Sequence, residues 1–211
     1  MSRAGVTLAG HTPQGESILL RPFRFRDQEA YLDARRRDHE WLTPWDPTSP
    51  DGDPPQLTFR EMVRQHRSRA RRLEALAFLV ESRGQIVGQI NGNSIVWGAA
   101  RTVSVGYWVT SRAAGRWIAP TAVAIFGDYA FGGLGLHRIE LGIRPENTAS
   151  IAVAHKVRMR EEGLRPNFLH IAGAWRDHRV FALTVEDLAT DGRGASLRER
   201  VEASFRERTT G

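Results

Sequence analysis

The chain has 211 residues, of which 41% are hydrophobic and 26% charged, a composition typical of a soluble globular protein with a sizeable core. It contains no cysteine, which excludes a disulfide framework, a thiolate metal site and an acyl-cysteine intermediate. No apolar run approaches the roughly 18 residues of a membrane span, and the first residues lack the apolar segment of a signal peptide. We therefore expect a cytoplasmic protein that makes no use of a membrane.

The formal net charge of +6 indicates acidic partners such as nucleic acids, phosphate ligands or acidic peptides. The basic residues are almost all arginine, with Lys156 the only lysine, and genomic base composition alone can produce such a bias. The arginine-rich run 64–72 is interrupted by neutral residues and is typical of a solvated helix face. Direct nucleic-acid binding is therefore not expected.

In the first half of the chain, residues 1–16 are expected to form an irregular extension. A short strand follows over 17–22, and Asp27 is a suitable N-cap for a helix that runs to about Asp38. The aromatic segment 41–45 is broken by Pro44 and leads into a proline-rich loop over 46–55. Thr58 and Glu61 have the spacing of a capping box and predict the start of a second helix.

The second half of the chain begins with a predicted hairpin, 76–82 and 85–96, around Arg83-Gly84. A strand is predicted over 102–109, then a turn and a helix that ends near 131, where the glycines of 132–135 favour a C-cap over a phosphate loop. A strand over 137–143, a helix over 149–157 and two strands over 162–172 and 179–184 follow. Residues 189–194 are typical of a linker, and Ser196 with Glu199 predicts the cap of a short C-terminal helix that docks on the body or on a partner subunit. This order predicts an α/β (α+β) domain with one central sheet.

The turn between strand 102–109 and the following helix holds Arg112, Gly115 and Arg116. The N-terminus of a helix presents unpaired backbone N–H groups and partial positive charge. With two arginines beside it, this turn is a candidate anion site, most simply for a phosphate. An ordinary strand-to-helix connection remains the alternative.

Several segments resemble the GNAT acyltransferases and, among them, the RimJ/RimL-like protein N-terminal acetyltransferases. In chain order they are Leu20-Arg-Pro22, Trp41-Leu-x-Pro-Trp45, Gly106-Tyr-Trp-Val109, Arg112-x-x-Gly115, Gly135-Leu-His-Arg-Ile-Glu140, Arg144-Pro-Glu-Asn-x-x-Ser150, Glu161-Glu-Gly163 and Gly173-Ala-Trp-Arg-Asp-His178. The resemblance covers about 17–188 and implies a GNAT fold, with a single mixed, mostly antiparallel sheet flanked by helices. Residues 189–211 would then be a linker and an appended helix.

The resemblance implies that acetyl-CoA is the co-substrate. The strand end Trp108 and Val109 would pair with the pantetheine arm, Asn147 would touch pantetheine, and Ser150 would lie near the sulfur. The loop residues that would hold the pyrophosphate are Arg112, Ala114, Gly115, Arg116, Trp117 and Ile118. For Asn147 and Ser150, plain N-capping of the helix over 149–157 is the alternative.

Direct acetyl transfer needs a neutral amine, donors for the oxyanion and a proton for the departing thiolate. An N-terminal α-amine has a reference pKa of about 8, so its deprotonation costs little near neutral pH. We expect the Val109 N–H to stabilise the oxyanion, Ser150 to donate the proton and Glu140 to act as the base. An ion pair with Arg138 or Arg144 is the alternative role for Glu140, and Glu40 is the second candidate base. Tyr107 and His137 are expected to be structural.

The resemblance places the acceptor between the Trp41–Trp45 loop and the last two strands, where Trp175 and the segment 176–178 project. Asp177 and His178 resemble a dyad or a metal site, but adjacent residues in a strand point in opposite directions. No metal site is expected there.

Two positions depart from the pattern of the family. Trp117 stands where the cofactor loop usually has a small residue, and an indole would obstruct the pyrophosphate unless it turned away. Arg158 stands where a glycine with positive φ is usual, at a cost of order 1 kcal/mol.

Three functions remain open at this point. The first is acetylation of a protein N-terminus, with a ribosomal protein as a possible acceptor. The second is acetylation of a small-molecule amine such as an aminoglycoside, which the acidic loop 46–53 would attract. The third is binding without catalysis, in which a weakly active or non-catalytic descendant of the family uses its arginine-rich surface on RNA or a ribosome. A monomer and a homodimer are both compatible with the sequence.

Overall fold

The computed structural model describes residues 5–52, 57–190 and 196–209. These residues form a three-layer α/β/α arrangement around one eight-stranded sheet with the order β1-β2-β3-β4-β5-β6-β8-β7. The strands are β1 (Leu8–His11), β2 (Ser17–Pro22), β3 (Leu76–Ser82), β4 (Gln85–Val96), β5 (Thr102–Val109), β6 (Arg138–Ile143), β7 (Arg160–Ile171) and β8 (Ala174–Thr184). All neighbouring strands are antiparallel except β5 and β6, which confirms a mixed, mostly antiparallel sheet.

Helices cover both faces of the sheet. The helices are α1 (Gln28–Arg37), α2 (His39–Leu42), α3 (Phe59–Arg71), α4 (Ile118–Asp128), α5 (Thr148–Lys156), α6 (Val185–Thr190) and α7 (Leu197–Thr209). On one face, Phe59 and Val63 of α3 pack with Phe23 and Leu79 in a small core. The main core lies on the other face, where every residue of α4 from Ile118 to Gly127 is buried. None of the helices described is long and apolar enough to cross a membrane.

The local signals that the sequence predicted are present in the structure. The hairpin strands β3 and β4 have the predicted bounds. The capping box at the start of α3 is formed, since Thr58 Oγ1 accepts from the Glu61 N–H at 3.3 Å and Glu61 Oε2 accepts from the Thr58 N–H at 2.8 Å. Asp27 differs from its predicted role, because its carboxylate accepts from Arg21 and from the Arg24 N–H instead of capping α1.

The expectation of an irregular segment over 1–16 was wrong for Leu8–His11, which form the edge strand β1 paired with β2. The segment Leu-Ala-Gly-His has no clear alternation of apolar and polar residues, so its sequence does not show a strand. Tertiary packing stabilises it, since Gly10 lets α4 approach closely. A Cβ atom on Gly10 would lie 2.9 Å from Ile125 Cδ1.

The last hairpin is longer than the sequence predicted. β8 begins at Ala174 and not near Arg179, and Ala172 and Gly173 form its turn with φ values of 48° and 80°. The run 175–179 is polar or exposed on both faces and therefore lacks the period-two pattern of a half-buried strand.

The C-terminal helix begins at the predicted cap, with the Ser196 N–H donating to Glu199 at 2.8 Å. Its side chains Leu197 and Val201 are buried, and the Leu197 N–H donates to Asp128 Oδ1 of α4 at 2.7 Å. Docking on the body is thereby confirmed, and at 13 residues α7 is longer than the short helix expected. Within the predicted linker 189–194, residues 189 and 190 belong to α6 and the rest lie outside the described residues.

Candidate active site

The adjacent strands β5 and β6, in the middle of the sheet, separate towards the C-terminal end of β5. β4 stays paired with β5 as far as Val109. The register of β5 with β6, in contrast, ends at Ser104 opposite Glu140. A cleft therefore opens between the last residues of β5 and the end of β6.

The backbone of β5 faces this cleft at alternate residues, because in an antiparallel pair both backbone groups of a residue point to the same neighbour. The Thr110 N–H donates to the Val87 C=O of β4 at 2.8 Å. The alternation then directs the N–H and C=O of Val109 and of Tyr107 away from β4 and into the cleft. The Val109 N–H therefore has the direction that the oxyanion role requires.

The turn after β5 ends in an open helix N-terminus. Trp117 is the N-cap of α4 and gives no side-chain hydrogen bond to the helix. Within the part of the chain that the structure describes, the N–H groups of Gly115 and Arg116 have no acceptor. The first N–H groups of α4 also lack intrahelical partners, as at any helix start. This arrangement fits an anionic group such as a pyrophosphate.

The two arginine side chains of the turn differ in whether they are free to bind a ligand. The Arg116 guanidinium forms an ion pair with Glu16 and so lowers the pKa of that carboxyl below its ordinary value. Arg112 is exposed and takes part in no ion pair with another described residue. The turn itself is anchored by Asp38, which lies between α1 and α2, since Asp38 Oδ1 accepts from the Ser111 N–H at 2.8 Å. Asp38 had not been recognised from the sequence, because nothing local links it to a residue 73 positions away.

Trp117 adopts the left-handed conformation, with φ of 61°, and its side chain is only 7% exposed. The indole packs into the main core and meets the ring of Phe205 edge-on at 5.3 Å. It therefore points towards α7 and leaves the N–H groups of the loop accessible. The obstruction that the sequence raised does not arise in this structure.

Arg158 also adopts positive φ, at 58°, as expected for a position that usually holds glycine. Its guanidinium pairs with Glu207 of α7. Both departures from the family pattern therefore contact the same appended helix.

Ser150 lies where α5 begins, beside the cleft. Its hydroxyl is 2.7 Å from the Tyr107 hydroxyl, and burial raises the pKa of the Tyr107 phenol above its ordinary value. Tyr107 therefore stays protonated, and its hydroxyl can hold the Ser150 hydroxyl in place by a hydrogen bond. From the sequence, Tyr107 is expected to be structural. In the structure its hydroxyl contacts the hydroxyl of Ser150, the candidate proton donor.

Asn147 caps α5, with its side-chain oxygen accepting from the Ser150 N–H at 3.0 Å. The N-capping role is thereby observed. The contact of Asn147 with pantetheine remains a prediction, for which the amide NH₂ group is still available.

The structure weighs against Glu140 as the base. Its carboxylate accepts hydrogen bonds from Arg138 at 2.8 Å and from Arg165 at 3.3 Å, so both of its oxygens are already engaged by arginines. The alternative ion pair is therefore formed with Arg138, and with Arg165 in place of Arg144. Glu40 is exposed on α2, and His137 pairs with Glu186 at 2.8 Å, away from the cleft.

The opposite wall of the cleft comes from the segment after α1. Trp41 Nε1 donates to the Val109 C=O at 3.1 Å, so this indole lies directly against the end of β5. The Arg144 guanidinium stacks over Trp45 at 5.3 Å and donates to the Pro44 C=O at 2.8 Å. These contacts bring two of the three predicted acceptor residues to the end of the cleft.

The loop that follows Trp45 pairs with the last hairpin. Pro47 forms an antiparallel bridge with Ile171, and the Thr48 N–H donates to the His170 C=O at 3.0 Å. Trp175 meets His170 edge-on at 5.7 Å and is 53% exposed. The segment 41–48 and the β7–β8 hairpin are therefore joined, as the predicted position of the acceptor site requires.

Asp177 and His178 bond different partners and do not form a dyad. Asp177 Oδ1 accepts from the Asn167 N–H at 2.8 Å, and His178 Nδ1 lies 2.9 Å from the Arg176 C=O. Burial lowers the pKa of His178, so the ring is neutral near pH 7. Within the described ranges no three His, Asp or Glu side chains are placed to hold a metal ion.

The acetyltransferase (GNAT) domain model matches residues 17–160. The chain belongs to the GNAT acetyltransferase family. It is similar to a solved structure of Mycobacterium smegmatis RimJ in complex with CoA-disulfide, at 34% identity over 98% of both chains with a TM-score of 0.85. It is 28% identical to the probable N-acetyltransferase YjcK of Bacillus subtilis over 82% of this chain and 97% of that protein. A third relative, the ribosomal protein uS5-alanine N-acetyltransferase of Escherichia coli, is 24% identical over 82% of this chain and 90% of its own length.

The cleft at the end of β5 and the open N-terminus of α4 are consistent with membership of the GNAT family. The chain is an acetyl-CoA-dependent N-acetyltransferase of the RimJ type. Acetyl-CoA supplies the activated acetyl group as a thioester. The free N–H groups at α4 and the backbone edge of β5 are the features of this chain that fit it.

Proposed function

We propose that the acceptor is the N-terminal α-amine of a protein, with ribosomal proteins among the substrates. The observation that carries this proposal is the cleft itself, where the Trp41 indole contacts the Val109 carbonyl and the Ser150 hydroxyl contacts Tyr107 of the same strand, β5. The names of two similar proteins, RimJ and the uS5-alanine acetyltransferase, support an acceptor of this class.

The residues of the cleft have distinct roles in the transfer. The amine nitrogen bonds to the thioester carbon, the carbon–sulfur bond breaks, the amine loses a proton and the thiolate gains one. The Val109 N–H stabilises the negative charge that develops on the carbonyl oxygen. Ser150, hydrogen-bonded to protonated Tyr107, supplies the proton to sulfur.

The proton leaves the α-amine through water in this proposal. Glu140 is held by two arginines, and the low pKa of an α-amine, about 8, makes a strong base unnecessary near neutral pH. The same pKa discriminates against lysine side chains, whose reference pKa is about 10.4. Trp41, Trp45 and Trp175 would line the path of the acceptor.

Acetylation of a polycationic small molecule is less well supported. The acidic loop was the reason to consider it, but Asp46 forms an ion pair with Arg35 at 2.6 Å. The negative charge of Asp46 is therefore offset by Arg35 within the protein. Arg144 beside Trp45 adds a positive charge at the same wall, which disfavours a polycation.

A set of parallel acetylation assays with different acceptors tests the proposed acceptor. Short peptides with a free N-terminus, the same peptides with a blocked N-terminus and an internal lysine, and a polyamine are each incubated with acetyl-CoA, and free thiol and the position of the acetyl group are measured. We expect turnover of the free-N-terminus peptides alone. Turnover restricted to the polyamine, or to the lysine of blocked peptides, would refute the proposal.

A further inference from the structure

A positive charge lies beside the cofactor loop on the side of α7. Lys156, the last residue of α5, places its ammonium nitrogen 4.4 Å from the centre of the Trp117 ring. Trp117 is the N-cap of α4 and thus part of the loop with the free N–H groups. The ammonium therefore stands close to the start of α4.

This ammonium has no acidic partner among the described residues. The charged group that acts on it is another cation, Arg208 of α7. Burial and, after it, the charge of Arg208 lower the pKa of Lys156. A cation that has a second cation near it and no anion beside it is repelled, and an anionic ligand at this position would relieve the repulsion.

The docking of α7 places Arg208 there. Phe205, one turn earlier, packs edge-on against Trp117, and Glu207 pairs with Arg158. Leu197 and Val201 bury the first half of the helix against the body. The position of the second cation therefore follows from the packing of the appended helix.

We propose that Lys156 and Arg208 bind the 3′-phosphate of the CoA moiety. This step rests on the binding of acetyl-CoA at the α4 N-terminus. The free N–H groups of the loop are donors for the pyrophosphate, whereas the 3′-phosphate is a separate monoester with a charge of about −1.5 to −2 at pH 7. It is carried on the ribose next to the pyrophosphate, and the positive charges of half-buried Lys156 and exposed Arg208 beside the loop match its charge.

A purely structural role for Lys156 is the competing explanation. A lysine in the last turn of a helix stabilises the helix dipole, and an ammonium over an indole gains a cation–π interaction. Neither effect depends on the 3′-phosphate. The two explanations therefore differ in how a variant at this position binds cofactors with and without that group.

The test compares acetyl-CoA with acetyl-dephospho-CoA, which lacks the 3′-phosphate, by calorimetry on the full chain. We expect the wild type to bind acetyl-CoA about tenfold more tightly or better, the range of a charge-assisted hydrogen bond. Lys156→Met, which keeps the aliphatic stem over Trp117, should remove most of this preference by weakening acetyl-CoA alone. Lys156→Arg should retain the preference, and Arg208→Met should reduce it.

Arg71→Met, which removes one charge from α3, is the matched control and should leave the preference unchanged. Equal affinity of the wild type for both cofactors would overturn the proposal. Equal weakening of both cofactors by Lys156→Met would also overturn it, in favour of the structural role. If neither cofactor bound to the wild type, acetyl-CoA binding itself would be refuted, which is a different result.

Discussion

At the scale of single residues, Trp117 shows what the sequence could and could not establish. The sequence alone shows that Trp117 stands at a loop position where the family usually has a small side chain. The direction of that side chain depends on Phe205, 88 positions later in the numbering, and on Lys156. Because those contacts are long-range, only the structure shows that the indole turns into the core.

Ser150 and Tyr107 give a first prediction at this scale. Ser150→Ala should lower kcat by about 100-fold, the lower end of the range for general acid catalysis, while KM for acetyl-CoA changes little. Tyr107→Phe should lower kcat by a smaller factor, since it removes only the partner of Ser150. Steady-state kinetics measure both effects, and Thr148→Ala at the first residue of the same helix is the control. A kcat unchanged by Ser150→Ala would exclude Ser150 as the proton donor.

Glu162 gives a prediction about pH. Hydrogen bonds from Arg138 and, to a smaller degree, Arg160 lower the pKa of Glu162 from 4.5 to about 2. Because the folded pKa lies below the unfolded one, the stabilisation is complete above about pH 4.5 and disappears as the pH falls towards 2. Glu162→Gln should therefore lower the free energy of unfolding by about 1 kcal/mol at pH 7, after allowance for solvent screening.

Urea denaturation at several pH values tests this expectation. The difference between wild type and Glu162→Gln should shrink below pH 4.5. Glu202→Gln, on the exposed side of α7, should show no such trend. A difference that stayed constant down to acid pH would mean that the ion pairs of Glu162 do not stabilise the fold.

At the scale of elements, α7 connects the fold with the site. The matched family model ends at residue 160, so α7 lies beyond it. The spacing of Leu197, Val201 and Phe205 predicted an amphipathic helix, and the structure confirms that it docks. Its target could not be predicted, because the contact with Trp117 and the pair of Arg158 with Glu207 join distant parts of the chain.

Removal of the Phe205 ring tests this connection. Phe205→Ala should destabilise the protein by about 1–3 kcal/mol, less than for a fully buried ring, and should raise KM for acetyl-CoA more than it lowers kcat. Val201→Ala, one turn earlier on the same helix, should destabilise the protein to a similar extent with a smaller effect on KM. Thermal unfolding and kinetics measure both quantities. Equal effects of the two variants on KM would show that Phe205 acts only through general stability.

At the scale of the whole molecule, the sequence predicted most elements because their signals are local. Capping residues, turn glycines and apolar periodicity identified β2 to β6 and the main helices. β1 was missed because Leu8–His11 depends on pairing with β2 and on the approach of α4 to Gly10. For the site, Trp41 contacts the Val109 carbonyl and Ser150 contacts Tyr107 of the same strand, while the roles assigned to these residues stay predictions. The ion pairs of Glu140 could not be predicted, because one of them depends on Arg165 in a different strand.

The arrangement of the whole molecule places an open helix N-terminus, the diverging end of β5 and the joined acceptor wall at one edge of the sheet. The central claim is that this edge binds acetyl-CoA through the backbone of the loop 110–117. Gly115 is the residue through which that claim can be tested, since its φ of 77° is unfavourable for any other side chain and no heavy atom lies within 4 Å of the position of a Cβ atom. A substitution there alters the loop without disturbing the core.

Calorimetric titration with acetyl-CoA of the wild type, Gly115→Ala and Gly115→Val is therefore the most direct measurement. We predict sub-millimolar binding of one acetyl-CoA per chain to the wild type. Affinity should fall by several-fold in Gly115→Ala and by about tenfold or more in Gly115→Val, where a β-branched residue opposes positive φ, with thermal unfolding reporting on the fold of each variant. Absence of binding to the wild type, or equal affinity in all three folded proteins, would contradict the account.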